Sequence, residues 1–71
     1  MTNNEITVEV NGDLRKVASV CSLTDLLQQL ELNQKYVAVE VNQTLVPRQQ
    51  HDAYQLQRHD RLEIVTLVGG G

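Results

Sequence analysis

The sequence predicts an α+β domain in which one helix packs against one face of a mixed β-sheet. Three observations lead to this prediction. Apolar and polar residues alternate, as in half-buried strands, near the start, in the middle and near the end of the chain. One segment between the first two of these regions has the wider apolar spacing of an amphipathic helix. The chain has 71 residues, of which 41% are hydrophobic, and this is enough for one small globular domain.

The chain is expected to begin with a β-hairpin. Apolar residues alternate with polar ones from Ile6 to Val10, which is typical of a strand with one buried face. The dipeptide Asn11-Gly12 follows, and it favours a tight turn because both residues tolerate a positive φ. A second strand should therefore return antiparallel from about Leu14 to Val20, where the alternation is weaker.

The period changes after the hairpin. Four leucines between positions 23 and 30 are spaced three or four residues apart, which indicates a helix with one apolar face. Ser22 and Asp25 fit a shortened capping box, so the helix should begin at Leu23. Asn33 is suited to end it.

The second half of the chain predicts three further strand segments. Valines alternate from Val37 to Val41, and Asn42-Gln43 then turns the chain toward a short pairing at Leu45-Val46. A polar loop follows, with Leu56 as its expected buried anchor, and the last strand runs from Leu62 to Val68. This order of elements suggests the β-grasp, or ubiquitin-like, arrangement, with four to five strands in a mixed sheet.

Composition and charge argue against several classes of function. The formal net charge is −3, the six basic residues are scattered and only two residues are aromatic, so nucleic-acid binding is not expected. No apolar run approaches the roughly 20 residues that cross a bilayer, and no membrane partner is expected. One cysteine cannot form an internal disulfide, and the first residues do not resemble a signal peptide. We therefore expect a cytoplasmic protein.

The residues that could support catalysis or bind a metal are few. His51-Asp52 and His59-Asp60 are adjacent pairs without an accompanying nucleophile motif, and we interpret them as solvated loop residues, with Asp60 stabilising a turn. Two histidines and Cys21 are too few ligands for a metal site, so no metal is expected. Cys21 is interpreted as a small buried side chain, although its position before a helix could instead lower its thiol pKa.

The last predicted strand has two apolar faces. If Leu62, Ile64, Thr66 and Val68 face the helix, then Val65 and Leu67 are exposed on the opposite face. Exposed branched residues on a polar sheet often form a contact surface, so we predict that Val65 and Leu67 are docking residues. Burial of both faces, or two scattered surface residues, are the alternatives that stay open at this point.

Three glycines, Gly69 to Gly71, follow this strand. We predict a domain at residues 1–68 and a flexible tail at 69–71, which when extended reaches at most about 10 Å. A tail without side chains can enter a narrow channel and present the α-carboxylate of Gly71, which is ionised at neutral pH. Attack of this carboxylate on the α-phosphate of ATP would give a reactive acyl-adenylate. A frayed terminus or a residual linker is the alternative explanation.

Five segments of the chain carry a family resemblance. They are "VNG" (Val10 to Gly12), the helix segment "LTDLLQQL", "VAVEVN" (Val37 to Asn42), "LVPR" (Leu45 to Arg48) and "DRLEIVTLVGGG" (Asp60 to Gly71). At this spacing and length the chain resembles the ThiS family, the sulfur carriers of bacterial thiamine biosynthesis. A Gly-Gly end alone would be a weak signal, since ubiquitin and the molybdopterin synthase small subunit share it.

The resemblance implies a protein carrier that is not itself an enzyme and binds no cofactor. A ThiF-type adenylyltransferase would adenylate Gly71 with ATP and magnesium, and a sulfur donor system would convert the adenylate to a thiocarboxylate. Thiazole synthase (ThiG) would then receive the sulfur. The essential tail of the family is Gly-Gly, so Gly70 and Gly71 carry the function and Gly69 supports it. Arg48, in the "LVPR" segment, joins Val65 and Leu67 as a predicted docking residue.

Two positions depart from the family pattern, and two other functions stay open. His59 and Gln43 stand where the family commonly has glycine, which affects loop geometry and stability if those turns need positive φ. The first alternative function is a molybdopterin synthase small subunit or another thiocarboxylate carrier. Those small subunits are longer and have Phe and Pro before their Gly-Gly. The second is a ubiquitin-like interaction module whose tail is never activated.

Overall fold

Five strands and one short α-helix make up the part of the chain that the computed structural model describes, residues 4–67. The strands are β1 (Glu5–Val10), β2 (Asp13–Ala18), β3 (Val37–Val41), β4 (Thr44–Val46) and β5 (Arg61–Thr66), and the helix α1 (Leu23–Gln29) connects β2 to β3. Short 3-10 helices at Gln34–Tyr36 and Arg48–Gln50 lie before β3 and after β4. Between residues 4 and 67 no helix is long and apolar enough to cross a membrane.

The strands form one mixed sheet in the order β2-β1-β5-β3-β4. The central strand β5 pairs parallel with β1 and antiparallel with β3, and the two edge pairs are antiparallel. The predicted α+β fold with a β-grasp arrangement is therefore confirmed. The strand β5 therefore lies at the centre, where β1 pairs with its first two residues and β3 pairs with residues 62–66.

The core lies between the sheet and the helix. Alternate residues of β1, β3 and β5 face it, together with the leucines of α1 and the predicted anchor Leu56. Each fully buried aliphatic side chain contributes about 1.5–3 kcal/mol relative to exposure, so this small set supplies most of the driving force for folding. The buried apolar residues are Ile6, Val8, Val10, Val17, Cys21, Leu23, Leu26, Leu27, Val37, Val39, Val41, Val46, Leu56, Leu62 and Ile64.

The helix begins where the sequence predicts and ends earlier. The Ser22 hydroxyl accepts a hydrogen bond from the Asp25 amide at 3.0 Å, and the Asp25 carboxylate accepts one from the Ser22 amide at 3.1 Å, so the capping box is complete. At the other end Glu31 adopts a φ of 58°, and the Leu32 amide donates to the carbonyl of Leu27 at 2.9 Å. These contacts satisfy the last helical carbonyls.

Asn33 does not end the helix, contrary to the prediction. Its side-chain oxygen instead accepts a hydrogen bond from the Lys35 amide at 2.9 Å and caps the following 3-10 helix. The prediction was wrong because the left-handed cap formed at Glu31, a residue type that rarely adopts it.

The bounds of β2 and β5 also differ from the predictions. Strand β2 ends at Ala18 rather than Val20, and Val17 is its one buried residue, because the helix does not cover this edge of the sheet. Strand β5 begins at Arg61 and ends at Thr66. Thr66 is exposed although it was expected to face the helix, and Val68 lies outside the described residues.

Candidate functional site

The outer face of β5 presents the two residues predicted to dock a partner. Leu62 and Ile64 point into the core, while Val65 and Leu67 are 58% and 49% exposed. Strand alternation therefore places both exposed residues on the face opposite the helix, as predicted. The predicted tail, Gly69 to Gly71, lies outside the described residues, and in the sequence it begins two residues after Leu67.

Strand β3 extends this exposed surface. Ala38 lies directly opposite Val65 in the antiparallel register, and the Leu67 amide donates to the carbonyl of Tyr36 at 2.7 Å. Tyr36 is 54% exposed and Ala38 is half-buried. We call these four residues, Tyr36, Ala38, Val65 and Leu67, the tail-root patch. It is an apolar surface at the end of the sheet from which the chain continues to the terminal glycines.

Sequence reasoning missed the place of Tyr36 in this patch. The sequence did contain a signal for it. Residues two positions apart in an alternating segment share a side, so Tyr36 is expected on the same outer side as Ala38, opposite the inward-pointing valines. The pairing of β3 with β5, which brings Tyr36 close to Val65 and Leu67, is not visible in the sequence.

Arg48 lies at the same end of the sheet. Strand β4 runs antiparallel to β3, as β5 does, so the chain leaves β4 at Val46 toward the end where β5 finishes. Arg48 follows as the first residue of the second 3-10 helix and is exposed. This position is compatible with the docking role predicted for it.

Side-chain amides fasten β5 to the two neighbouring turns. The Asn11 side chain accepts a hydrogen bond from the Ile64 amide at 2.8 Å and donates one to the Ile64 carbonyl at 3.2 Å. The Asn42 side chain accepts one from the Arg61 amide at 3.0 Å and donates to the Asp60 carboxylate at 2.9 Å. Both asparagines adopt positive φ, which this residue type tolerates. Three of the five sequence segments singled out above therefore meet at the central strand.

Asp60 stabilises the turn before β5, as predicted. Besides its contact with Asn42, its carboxylate accepts a hydrogen bond from the Gln57 amide at 2.8 Å. The residue is buried, however, which contradicts its interpretation as solvated. The preceding residue, His59, is exposed with a φ of 72°, and Gln43 has a φ of 70°. Both positions at which the resemblance implies glycine thus adopt the left-handed conformation that glycine favours.

His51 is buried, which contradicts its interpretation as a solvated residue. Only 1% of its surface is exposed, and its Nε2 lies 3.0 Å from the carbonyl of Val46. The Thr24 amide donates to the His51 backbone carbonyl at 3.3 Å, so this loop lies against the start of the helix. His51 therefore holds the loop to β4 from inside the core.

Neither histidine forms an acid–base pair with its neighbour. The Asp52 carboxylate accepts a hydrogen bond from the Thr24 hydroxyl, and the Asp60 carboxylate contacts Gln57 and Asn42. Across residues 4–67 no three His, Cys, Asp or Glu side chains come together in a way that could hold a metal ion.

Cys21 is a buried side chain in the core, as interpreted. Its thiol donates to the Ser22 carbonyl at 3.5 Å. Burial, and secondarily the nearby Asp25 carboxylate, raise the pKa of the Cys21 thiol above its ordinary value. The alternative of a thiol made acidic by the helix start is therefore not supported.

Comparisons with known proteins agree with one another. A model of the ThiS family matches residues 5–71 of this chain. The chain is 33% identical to the thiamine biosynthesis protein (ThiS) of Geobacter metallireducens, whose crystal structure superimposes with a TM-score of 0.79 over 93% of this chain and 100% of that one.

Relatives identified by sequence include both free-standing and larger proteins. Uncharacterized protein ycf40 of Porphyra purpurea is 35% identical over the full length of both chains. Sulfur carrier protein ThiS of Bacillus subtilis is 32% identical over 65 residues, which are 90% of this chain and 98% of that protein. A thiazole synthase of Paramagnetospirillum magneticum is 34% identical over 62 residues, which are 87% of this chain but 19% of that protein.

Proposed function

This chain belongs to the ThiS family, and on that premise we propose that it is a sulfur carrier loaded at the carboxylate of Gly71. The single observation that carries the proposal is the family match itself, which extends over residues 5–71 and so includes the terminal glycines. The structure of the described residues supports the proposal by placing an apolar patch where β5 leads toward those glycines.

Loading takes place in two steps. A carboxylate oxygen of Gly71 attacks the α-phosphorus of ATP, the bond to the β-phosphate oxygen breaks and pyrophosphate leaves, which produces an acyl-adenylate. Sulfide released by the donor system then attacks the acyl carbon, a C–S bond forms, AMP leaves and the proton of the sulfide is lost to solvent. The product is a thiocarboxylate. Adenylation is needed because a free carboxylate is a poor electrophile, whereas AMP is a good leaving group.

The catalytic groups belong to the partners in this proposal. A ThiF-type adenylyltransferase binds ATP and Mg²⁺ and positions Gly71, and the carrier is its protein substrate rather than an enzyme. The carrier contributes the tail-root patch and Arg48 as docking groups. Gly69 and Gly70 supply a connection without side chains, which can enter a narrow active-site channel. We place the reaction in the cytoplasm, where ATP is available.

The recipient of the sulfur is thiazole synthase in this proposal. The thiazole synthase of Paramagnetospirillum magneticum supports this partner, because it contains a segment similar to most of this chain. Two modules joined in one chain have a high effective concentration relative to each other, which helps them to bind and act together.

Reconstitution tests the proposal directly. The purified chain is incubated with a ThiF-type enzyme, ATP, Mg²⁺ and a sulfur source, and its intact mass is measured. We expect an acyl-adenylate without the sulfur source, and with it the mass gain of one oxygen replaced by sulfur. Reactions without ATP, and a chain extended by one bulky residue after Gly71, serve as controls and should show neither product.

Two results would contradict parts of the proposal. If no adenylate and no sulfur-containing product form, the chain is an interaction module with a ubiquitin-like fold. If the loaded carrier donates sulfur to molybdopterin synthase and not to thiazole synthase, the carrier mechanism holds and the pathway is a different one.

A further inference from the structure

Two glutamates face each other on the outer side of the sheet. Glu40 on β3 is the direct register partner of Glu63 on β5, and both side chains are exposed. Directly opposite residues of an antiparallel pair have Cβ atoms about 4.5–5.5 Å apart, and like charges in this position destabilise a sheet. Arg61 lies on the same face of β5 two residues before Glu63, and its guanidinium pairs with Glu9 at 3.6 Å. Between residues 4 and 67 no ion pair with Glu40 or Glu63 is found.

These carboxylates adjoin the tail-root patch. Ala38 and Val65 form the register pair two residues away from Glu40 and Glu63, which is about 6.5 Å along the strands. An open groove of about 670 Å³ is lined by both Glu63 and Val65. The apolar patch and the carboxylate pair therefore form one continuous surface, with a concavity beside the charged part.

We infer that the activating enzyme places a lysine or arginine side chain between Glu40 and Glu63 while its apolar surface covers the tail-root patch. This inference rests on the proposed function and adds the chemistry by which the partner recognises the sheet. Facing like charges do not stabilise a strand pair, whereas a cation between the two carboxylates would form charge-assisted hydrogen bonds to both. A guanidinium fork suits two such acceptors particularly well.

Charge complementarity favours the activating enzyme as the occupant. The enzyme that receives the tail contacts the surface from which the tail leaves, and an acidic carrier is attracted to a contact surface that carries positive charge. The carrier has a net charge of −3. A metal ion is a poorer occupant, because two carboxylates supply far fewer than the six to eight oxygen ligands that Ca²⁺ takes.

Paired substitutions separate recognition from folding. The variant Glu40→Gln/Glu63→Gln removes two negative charges from the proposed contact. The matched control Glu5→Gln/Asp13→Asn removes two from exposed positions on β1 and β2, which are outside the contact. Affinity for the purified ThiF-type enzyme is measured by calorimetry without ATP, and adenylate formation is measured separately by intact mass.

We expect the Glu40→Gln/Glu63→Gln variant to bind about tenfold to a hundredfold more weakly than the unmodified chain at low salt. The difference in affinity should shrink at about 0.5 M salt, because strong screening then weakens the attraction between charges. Its melting temperature should equal or exceed that of the unmodified chain, since a repulsive pair has been removed. The control should bind nearly as well as the unmodified chain.

Three outcomes would overturn the inference. Unchanged affinity of the Glu40→Gln/Glu63→Gln variant would show that no cation contacts this pair. Weaker binding to thiazole synthase, with activation unchanged, would assign the surface to the other partner. If the unmodified chain itself forms no adenylate, the proposed function fails and the inference fails with it, a result distinguishable from the first two because it appears without any substitution.

Discussion

The side chain of Asn11 acts as an additional strand residue beside Ile64. Its amide oxygen accepts from the Ile64 amide at 2.8 Å and its nitrogen donates to the Ile64 carbonyl at 3.2 Å, across 53 positions of sequence. The two register pairs between β1 and β5 join Glu9 to Arg61 and Val10 to Leu62, so this contact lies where β1 turns away into the hairpin. It extends the support of the central strand toward the end that leads to the glycines.

Loss of this contact should destabilise the fold. We expect Asn11→Gly to lower the free energy of unfolding by about 1–3 kcal/mol, because the part-buried Ile64 amide and carbonyl lose their partner. Glycine is the matched choice since it tolerates the φ of 51° at this position. Urea unfolding followed by circular dichroism measures the change. A variant as stable as the unmodified chain would show that water replaces the amide without cost.

The period of the apolar residues was sufficient to predict α1, β1, β3 and β5, whereas β2 and the short strand β4 were expected mainly from the turns that precede them. Burial of one face leaves a spacing of two in a strand and of three or four in a helix, and this pattern is local. The exposure of Val65 and Leu67 was predictable for the same reason. The turn asparagines were recognisable because few residue types accept positive φ.

Other features depend on contacts between distant parts of the chain, and local patterns do not contain them. His51 is surrounded in sequence by exposed polar residues, and its burial results from its contact with β4 and the helix start. The facing of Glu40 and Glu63 requires the pairing of β3 with β5. The early helix end at Glu31 could not be predicted because a residue other than glycine or asparagine took the left-handed conformation.

Replacing His59 by glycine should stabilise the protein. His59 adopts a φ of 72° and its side chain is exposed, so glycine relieves backbone strain without removing a buried group. Relief of about 1–2 kcal/mol is partly offset by the greater entropy of glycine in the unfolded chain, and we expect a net gain of up to about 1 kcal/mol. Thermal unfolding measures it. Asn42→Gly is the control and should destabilise, because it removes hydrogen bonds to Arg61 and Asp60.

Alkaline pH should weaken the contribution of Cys21 to stability. Because burial raises the pKa of the Cys21 thiol, the folded state favours the protonated form. The resulting stabilisation is fully present below the ordinary thiol pKa and is lost as the pH rises through the raised folded value. The difference in unfolding free energy between the unmodified chain and Cys21→Ala, measured from neutral pH to above the thiol range, should therefore fall with pH. A difference that grows with pH would mean that the folded state favours the thiolate.

A methyl group added to the tail should slow activation. We expect Gly70→Ala to reduce the rate of adenylate formation, because a channel shaped for glycine excludes a side chain, while the melting temperature changes little. Gly69→Ala is the matched control and should have a smaller effect, since the proposed function assigns the essential part of the tail to Gly70 and Gly71. A large fall in melting temperature for Gly70→Ala would show that the tail has a structural role.

Charged substitutions in the tail-root patch should weaken capture by the activating enzyme and leave the fold intact. Val65→Asp and Leu67→Asp each place a carboxylate on an apolar contact surface, and we expect at least about a tenfold loss of affinity, or 1.4 kcal/mol. Leu14→Asp is the matched control, because Leu14 is 75% exposed on the edge strand β2 and outside the patch. Equal losses for all three variants would indicate a nonspecific effect of added negative charge. Unchanged activation kinetics for Val65→Asp and Leu67→Asp would show that the enzyme recognises a different face. Burying an unpaired carboxylate in an apolar interface costs free energy, so a true contact at these positions would lose affinity.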